Sequence, residues 1–266
     1  MIDNLKIISR DLLVTFEAFS DEHAFKLAHE METNGKLRNP LLVYPLYDKY
    51  LLLDDACILK ALESLDIRHI PVQIADEDTL SVHPWQRVVE DWRLADLKAF
   101  CDKFPRQVSI VAAKDEPLEA HQVEIRFRDS ETVRLNFNSG ALLVRVDMYN
   151  KLSAEVTRGN QSFRAKLDLF DVNPFQLFER ATAVIFPPMF TIDELAQVAL
   201  SGLPLAQGII RIDQPGRILG VDYALSILQE SAAPAEKESF FRQLIQMRIS
   251  SDRTSFYYGS IFMFNN

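Results

Sequence analysis

Two hydrophobic rhythms run along this chain, and they meet most densely between Gly35 and Ile74. Leu41–Tyr44 and Tyr50–Leu53 are short apolar runs, the first punctuated by Pro40 and Pro45. A third, Ile70–Ile74, carries Pro71 near its start, where a missing N–H is tolerated. Between Asp54 and Leu65 the apolar residues Ile58, Leu59, Leu62 and Leu65 keep the spacing of one helix face. The pattern predicts strand, strand, helix, strand, and it delivers Asp54 and Asp55 to a strand-to-helix corner. N–H groups at a helix start can hold an anion there.

The rest of the chain reads in the same way. Leu5–Ile8 predicts a strand, followed by a turn ending in Thr15-Phe16-Glu17, and Asp21–Thr33 predicts a helix that Gly35 stops. His23 and His29 flank that helix at a separation that does not fit one face, and they read as surface histidines. His83-Pro84-Trp85-Gln86 is expected to open a helix of roughly two dozen residues, with Trp85, Val88, Val89, Trp92 and Ala95 on one side and Pro105-Arg106 at its end. A charged, Pro-broken stretch at Ala113–Ala120 suggests a boundary between domains 1–115 and 116–266.

Beyond that boundary, Val123, Ile125 and Phe127 alternate with polar residues, and Val133, Leu135 and Phe137 repeat the pattern after a turn at Asp129-Ser130-Glu131, predicting a hairpin. Gly140–Val156 has helical character, Phe163–Phe170 reads as a strand, and Asn173-Pro174 starts a helix reaching about Ala181. Thr191 and Glu194 fit a capping box, so Thr191 reads as a cap rather than a nucleophile. A strand, a turn at Gln214-Pro215-Gly216, and a short strand into a helix follow, then a helix over Glu236–Ile249. The aromatic run Ser255–Phe264 predicts a last strand that needs a cover, for which a homodimer partner is one candidate.

With 266 residues, 48% hydrophobic and 25% charged, the chain has the composition of an ordinary globular protein, enough for one large domain or two small ones. A formal charge of −9, with no Lys/Arg cluster longer than a pair, argues against a nucleic-acid partner. No apolar run approaches the ~20 residues of a membrane helix, and the first residues lack the features of a signal peptide. A cytoplasmic protein with no membrane partner is expected, with Cys57 and Cys101 reduced.

The acidic corner is the strongest local feature, and it reads two ways. Asp54-Asp55 could hold a hard cation such as Mg²⁺ or a substrate amine; equally, it could be an N-cap with a first-turn carboxylate favoured by the helix dipole. Cys57 could be a reactive thiol at a helix start or an inert buried one.

NPLLV, then KYLLLDDACILKALESL, then IPVQI, resembles the ParB/sulfiredoxin-like superfamily, in particular its free-serine-kinase branch, which includes a serine kinase and regulator of staphyloferrin B siderophore synthesis. Weaker matches extend the resemblance over most of the chain: DLLVTFEAF, PWQ at 84–86, and LPLAQGIIRIDQPGRILGVDYALSIL. It implies an α+β protein, a ParB/sulfiredoxin-like N-terminal domain with a second mixed α/β C-terminal domain forming a cleft. It further implies Asp54 and Glu17 as catalytic positions, Asp55, Cys57, Trp85, Gln86, Arg211 and Arg217 as ligand-binding ones, and Mg²⁺ with ATP or ADP as cofactors if the chain is a kinase. Locally, Arg211 and Arg217 could equally be surface arginines paired with the protein's own carboxylates, and Trp85 could be simple packing.

The chain departs from that branch at its reactive positions. Where the family carries Asp-Gly-x-His-Arg, this sequence reads Asp54-Asp55-Ala56-Cys57-Ile58, and Val14 stands at the family's catalytic glutamate. The departures put a negative charge where phosphates would sit and remove a donor fork. The leading expectation is therefore a degenerate member: a regulatory or ligand-binding protein for an amino acid or nucleotide, without phosphoryl transfer. An active small-molecule kinase using Asp54 or Glu17 as base, and a structural subunit of a larger assembly, are the alternatives.

Overall fold

A computed structural model describes residues 4–113, 115–129, 132–167 and 173–250. The contacts divide the chain into two units, one formed by the residues up to Ser81 together with those from Ile212 onward, the other by Val82–Arg211. Each is a mixture of helices and sheet, so the α+β class expected from the sequence holds.

The first unit begins with β1 (Leu5–Ser9), β2 (Leu13–Thr15) and α1 (Asp21–Asn34). Ser20 caps α1 by accepting the His23 N–H, and Gly35 ends it in the left-handed region at φ 64. Then come β3 (Lys36–Leu37), β4 (Leu41–Leu46), β5 (Lys49–Leu52), α2 (Ala56–Ser64) and β6 (His69–Ile74), and the division falls inside β7 (Ser81–Pro84), after Ser81. The predicted strand, strand, helix, strand unit is therefore present. Five strands form one mixed sheet in the order β1-β6-β4-β5-β2, with β4–β6 and β2–β5 parallel. Its core holds Leu5, Val43, Leu52, Leu62, Ile67 and Ile70.

The second unit contains β8 (Gln86–Val89), α3 (Leu94–Lys103), β9 (Val108–Ala112), β10 (Gln122–Phe127), β11 (Val133–Phe137), α4 (Leu142–Thr157), β12 (Ser162–Ala165), α5 (Pro174–Leu177), β13 (Ala183–Phe186) and α6 (Ile192–Ser201). Six of these strands form an antiparallel sheet ordered β12-β8-β13-β10-β11-β9. The hairpin places Val123 opposite Leu135 and Ile125 opposite Val133, as the period-two pattern requires. Trp92 and Phe127 pack with ring centroids 5.7 Å apart in this unit's core.

After Arg211 the chain supplies the rest of the first unit. Following β14 (Ile210–Asp213) come β15 (Tyr223–Ala224), α7 (Leu225–Gln229) and α8 (Pro234–Ile249). β15 pairs with β3, and α8 packs on β1, placing Phe241 and Ile245 in the first unit's core.

Three expectations change. The long helix from His83 is absent, because Ser81–Pro84 and Gln86–Val89 are strands and the helix starts only at Leu94. Val88 and Val89 suit a pleated surface, β12 and β13 pair with them from far along the chain, and Asp91 turns the backbone at φ 58 before α3. The helix from Pro174 is also short, ending at Leu177. Finally, the division does not fall near residue 115: β9 pairs with β11 across that stretch, and the segment after Arg211 rejoins the first unit. The aromatic run Ser255–Phe264, the tip of the hairpin turn and the second half of the Phe163–Phe170 segment lie outside the described residues.

Candidate functional site

β5 leads directly into the acidic corner, and there the two carboxylates part company. Asp54 turns toward the sheet: its Oδ2 accepts the Leu42 N–H at 2.6 Å, and Arg217 Nη2 donates to Oδ2 at 3.0 Å and to Oδ1 at 3.3 Å. Arg217 comes from the turn after Gly216, which Gln73 fixes by donating to the Gly216 carbonyl and accepting the Ile218 N–H, both at 2.9 Å. Both partners of this ion pair are largely shielded, with side chains 24% and 16% exposed. Arg217 is thus no free surface arginine.

Asp55 caps α2. Its Oδ1 accepts the Cys57 N–H at 2.8 Å, and its Oδ2 lies 3.3 Å from His23 Nε2. A helix start that could receive an anion is therefore covered by the chain's own carboxylate. Cys57 is fully buried, its Sγ accepting the Ser20 N–H at 3.4 Å. Linear spacing hid His23: it lies on the first turn of α1, and the packing of α1 against α2 brings it to Asp55 and Cys57.

Mg²⁺ asks for several oxygens, and the corner offers two carboxylates, one of which, Asp54, is already taken up by a guanidinium and a backbone N–H. Glu17 stands partly exposed just beyond β2, in a single-residue bridge.

In the second unit, Trp85 is half-buried between two cations. The guanidinium carbons of Arg211 and Arg164 lie 5.3 Å and 5.6 Å from its ring centroid, within cation–π range. Arg211 is buried, so it too is no loose surface charge. Gly208, at φ +76, keeps room for Arg164, whose Cδ would lie 2.9 Å from a Cβ at that position. Gln86 is buried and structural: Leu167 N–H donates to its Oε1 at 2.9 Å, and its Nε2 donates to the Pro84 carbonyl at 3.3 Å. Sequence reading found Trp85 and Arg211 but not Arg164, which only the pairing of β12 with β8 brings near. Cys101, in α3, is pushed up to about 11 mainly by burial and is a neutral thiol at physiological pH.

No protein-family model and no curated protein matches this chain. Solved structures do. "SbnI with C-terminal truncation from Staphylococcus aureus" superimposes with a TM-score of 0.77 at 16% identity, covering 93% of this chain and 98% of that one. This is the fold of SbnI. A free serine kinase in complex with AMP aligns at a TM-score of 0.67 and 15% identity over 85% of this chain and 93% of its own. A conserved hypothetical protein from Pyrococcus furiosus aligns at 0.62 and 14% identity over 85% and 97%. At these identities the likeness is one of fold, and the serine-kinase-like architecture expected from the corner motif is the one observed. Another free serine kinase structure contains ADP.

Proposed function

We propose that this chain is a serine-kinase-like binding or regulatory protein, which takes a nucleotide or an amino acid and does not transfer phosphate. The observation that carries the reading is the engagement of Asp54: a carboxylate clamped by Arg217 and the Leu42 N–H is poorly placed to take a hydroxyl proton. The capped start of α2 and Val14 at the family's glutamate point the same way. Binding itself is supported by Trp85 with its two guanidiniums, an aromatic face inside a positive field suited to a base or a phosphate. One donor, Arg217 Nη1, is buried without an acceptor among the described residues, a demand that a bound group or water would meet. A siderophore or amino-acid biosynthetic pathway is the setting of the alternative reading, an active small-molecule kinase.

The test is thermal unfolding with ATP, ADP and CTP, each with and without Mg²⁺, and with L-serine and O-phosphoserine. A ligand at 100 times its Kd adds about 2.7 kcal/mol, which raises Tm by roughly 5–10 °C in a protein of this size. The expected result is a shift with at least one nucleotide or amino acid and no formation of O-phosphoserine. Protein-dependent appearance of O-phosphoserine overturns the reading in favour of an active small-molecule kinase. Silence across the panel overturns it in favour of a structural subunit.

A further inference from the structure

We infer that His23, Asp55 and Cys57 form a zinc site with three protein ligands and an open coordination position, independent of the reading above. One donor atom from each residue lies within 4.8 Å of the other two, and these three are the ligand-type cluster found among the described residues. Zinc bonds of about 2.0–2.1 Å at the tetrahedral angle separate nitrogen and oxygen donors by about 3.3 Å. His23 Nε2 and Asp55 Oδ2 already stand 3.3 Å apart. The third donor, Cys57 Sγ, lies within 4.8 Å of both, and small side-chain rotations within the cluster, whose His23 ring is 47% exposed, would bring all three to bonding distance.

Hydrogen bonds hold the segments that carry the three ligands, and one contact, Cys57 Sγ to the Ser20 carbonyl at 3.8 Å, is given up when the thiol ionises. The Cys57 N–H donates to Asp55 Oδ1, and the ion would be inserted into the existing contact between Oδ2 and His23; the Ser20 N–H points at Sγ and would stabilise a thiolate; Ser20 Oγ accepts the His23 backbone N–H and fixes the turn that carries the imidazole. Such support is characteristic of metal sites and has no counterpart around Asp54, whose oxygens are consumed.

The donor set selects the metal. One thiolate, one imidazole and one carboxylate suit Zn²⁺, whereas Mg²⁺ and Ca²⁺ take oxygen alone. On binding, the Cys57 S–H bond breaks, its proton leaves to solvent and a Zn–S bond forms, with no change of oxidation state. A metal here ties the first turn of α1 to the first turn of α2.

The experiment is titration of the full chain, reduced and freed of metal, with Co²⁺ as a spectroscopic stand-in, followed by competition with Zn²⁺. Expected are one equivalent bound, visible bands of tetrahedral Co²⁺, a thiolate-to-cobalt charge-transfer band, and displacement of both by Zn²⁺. Cys57→Ser should abolish the charge-transfer band, and His23→Gln should weaken binding at least tenfold, while Cys101→Ser leaves both unchanged. Absence of the charge-transfer band in the natural chain, its persistence in Cys57→Ser, its loss in Cys101→Ser, or unchanged affinity in His23→Gln overturns the site. Should Cys57→Ser fail to fold, the half-exposed His23→Gln variant decides the question alone.

Discussion

Asp54 and Asp55 are adjacent in the chain yet answer to different partners, one to the sheet and the C-terminal turn, the other to two helix starts. Removing Asp54 leaves the Leu42 N–H without an acceptor and a shielded guanidinium without its counter-ion, with only the Pro40 carbonyl at 3.4 Å to accept from Nη2. Asp54→Ala should therefore cost about 2 kcal/mol by urea denaturation, and Asp54→Asn, which keeps an acceptor for Leu42, about half of that. An unchanged midpoint in both variants would show the ion pair to be incidental. At this scale the sequence disclosed what local spacing can disclose. An Asp before Ala56-Cys57 reads as a cap because an N-cap acts on N–H groups two or three residues ahead, and Asp55 is that cap. His23 and Arg164 were invisible, since nothing local ties His23 to Cys57 or Arg164 to Trp85.

Among the elements, those whose signals are both periodic and capped were legible: α1 between Ser20 and Gly35, and α6 behind Thr191. The stretch from His83 failed because Val and Trp at helical spacing also satisfy a strand when distant partners supply the ladder. The α6 cap is more than local. Glu194 accepts the Thr191 N–H at 3.0 Å and also pairs with Arg145 of α4, whose side chain is 5% exposed. Thr191→Ala should cost about 1 kcal/mol, whereas Glu194→Ala, which leaves that buried guanidinium without its counter-ion, should cost about 3 kcal/mol. Chemical denaturation of the two variants side by side checks the ordering, and equal losses would reduce Glu194 to a cap.

For the whole molecule, what mattered most was the connectivity that local patterns do not carry. Charge and proline at Ala113–Ala120 imitate a linker, but the sheet register runs past them; the real divisions lie at Ser81 and Arg211, within strands that show no break in composition. Phe241 shows the dependence: a residue of α8, it is fully buried among residues of β1 and β6. Phe241→Ala should cost about 3–4 kcal/mol, and amide exchange should quicken in β1 and β6 while β10 and β11 keep their protection. Uniform loosening of all four strands would mean that the two units unfold as one.

The same connectivity sets an order of events during synthesis. Val82–Arg211 leaves the ribosome as one uninterrupted segment and holds all the strands of its own sheet, so it can fold on emergence. The N-terminal strands cannot bury β1 until Phe241 and Ile245 arrive. At a translation rate of about 5–20 residues per second, that wait is roughly ten to fifty seconds. The apolar face of β1 and β6 is thus a nascent-chain surface long before it is a core, and it is where a chaperone would be needed.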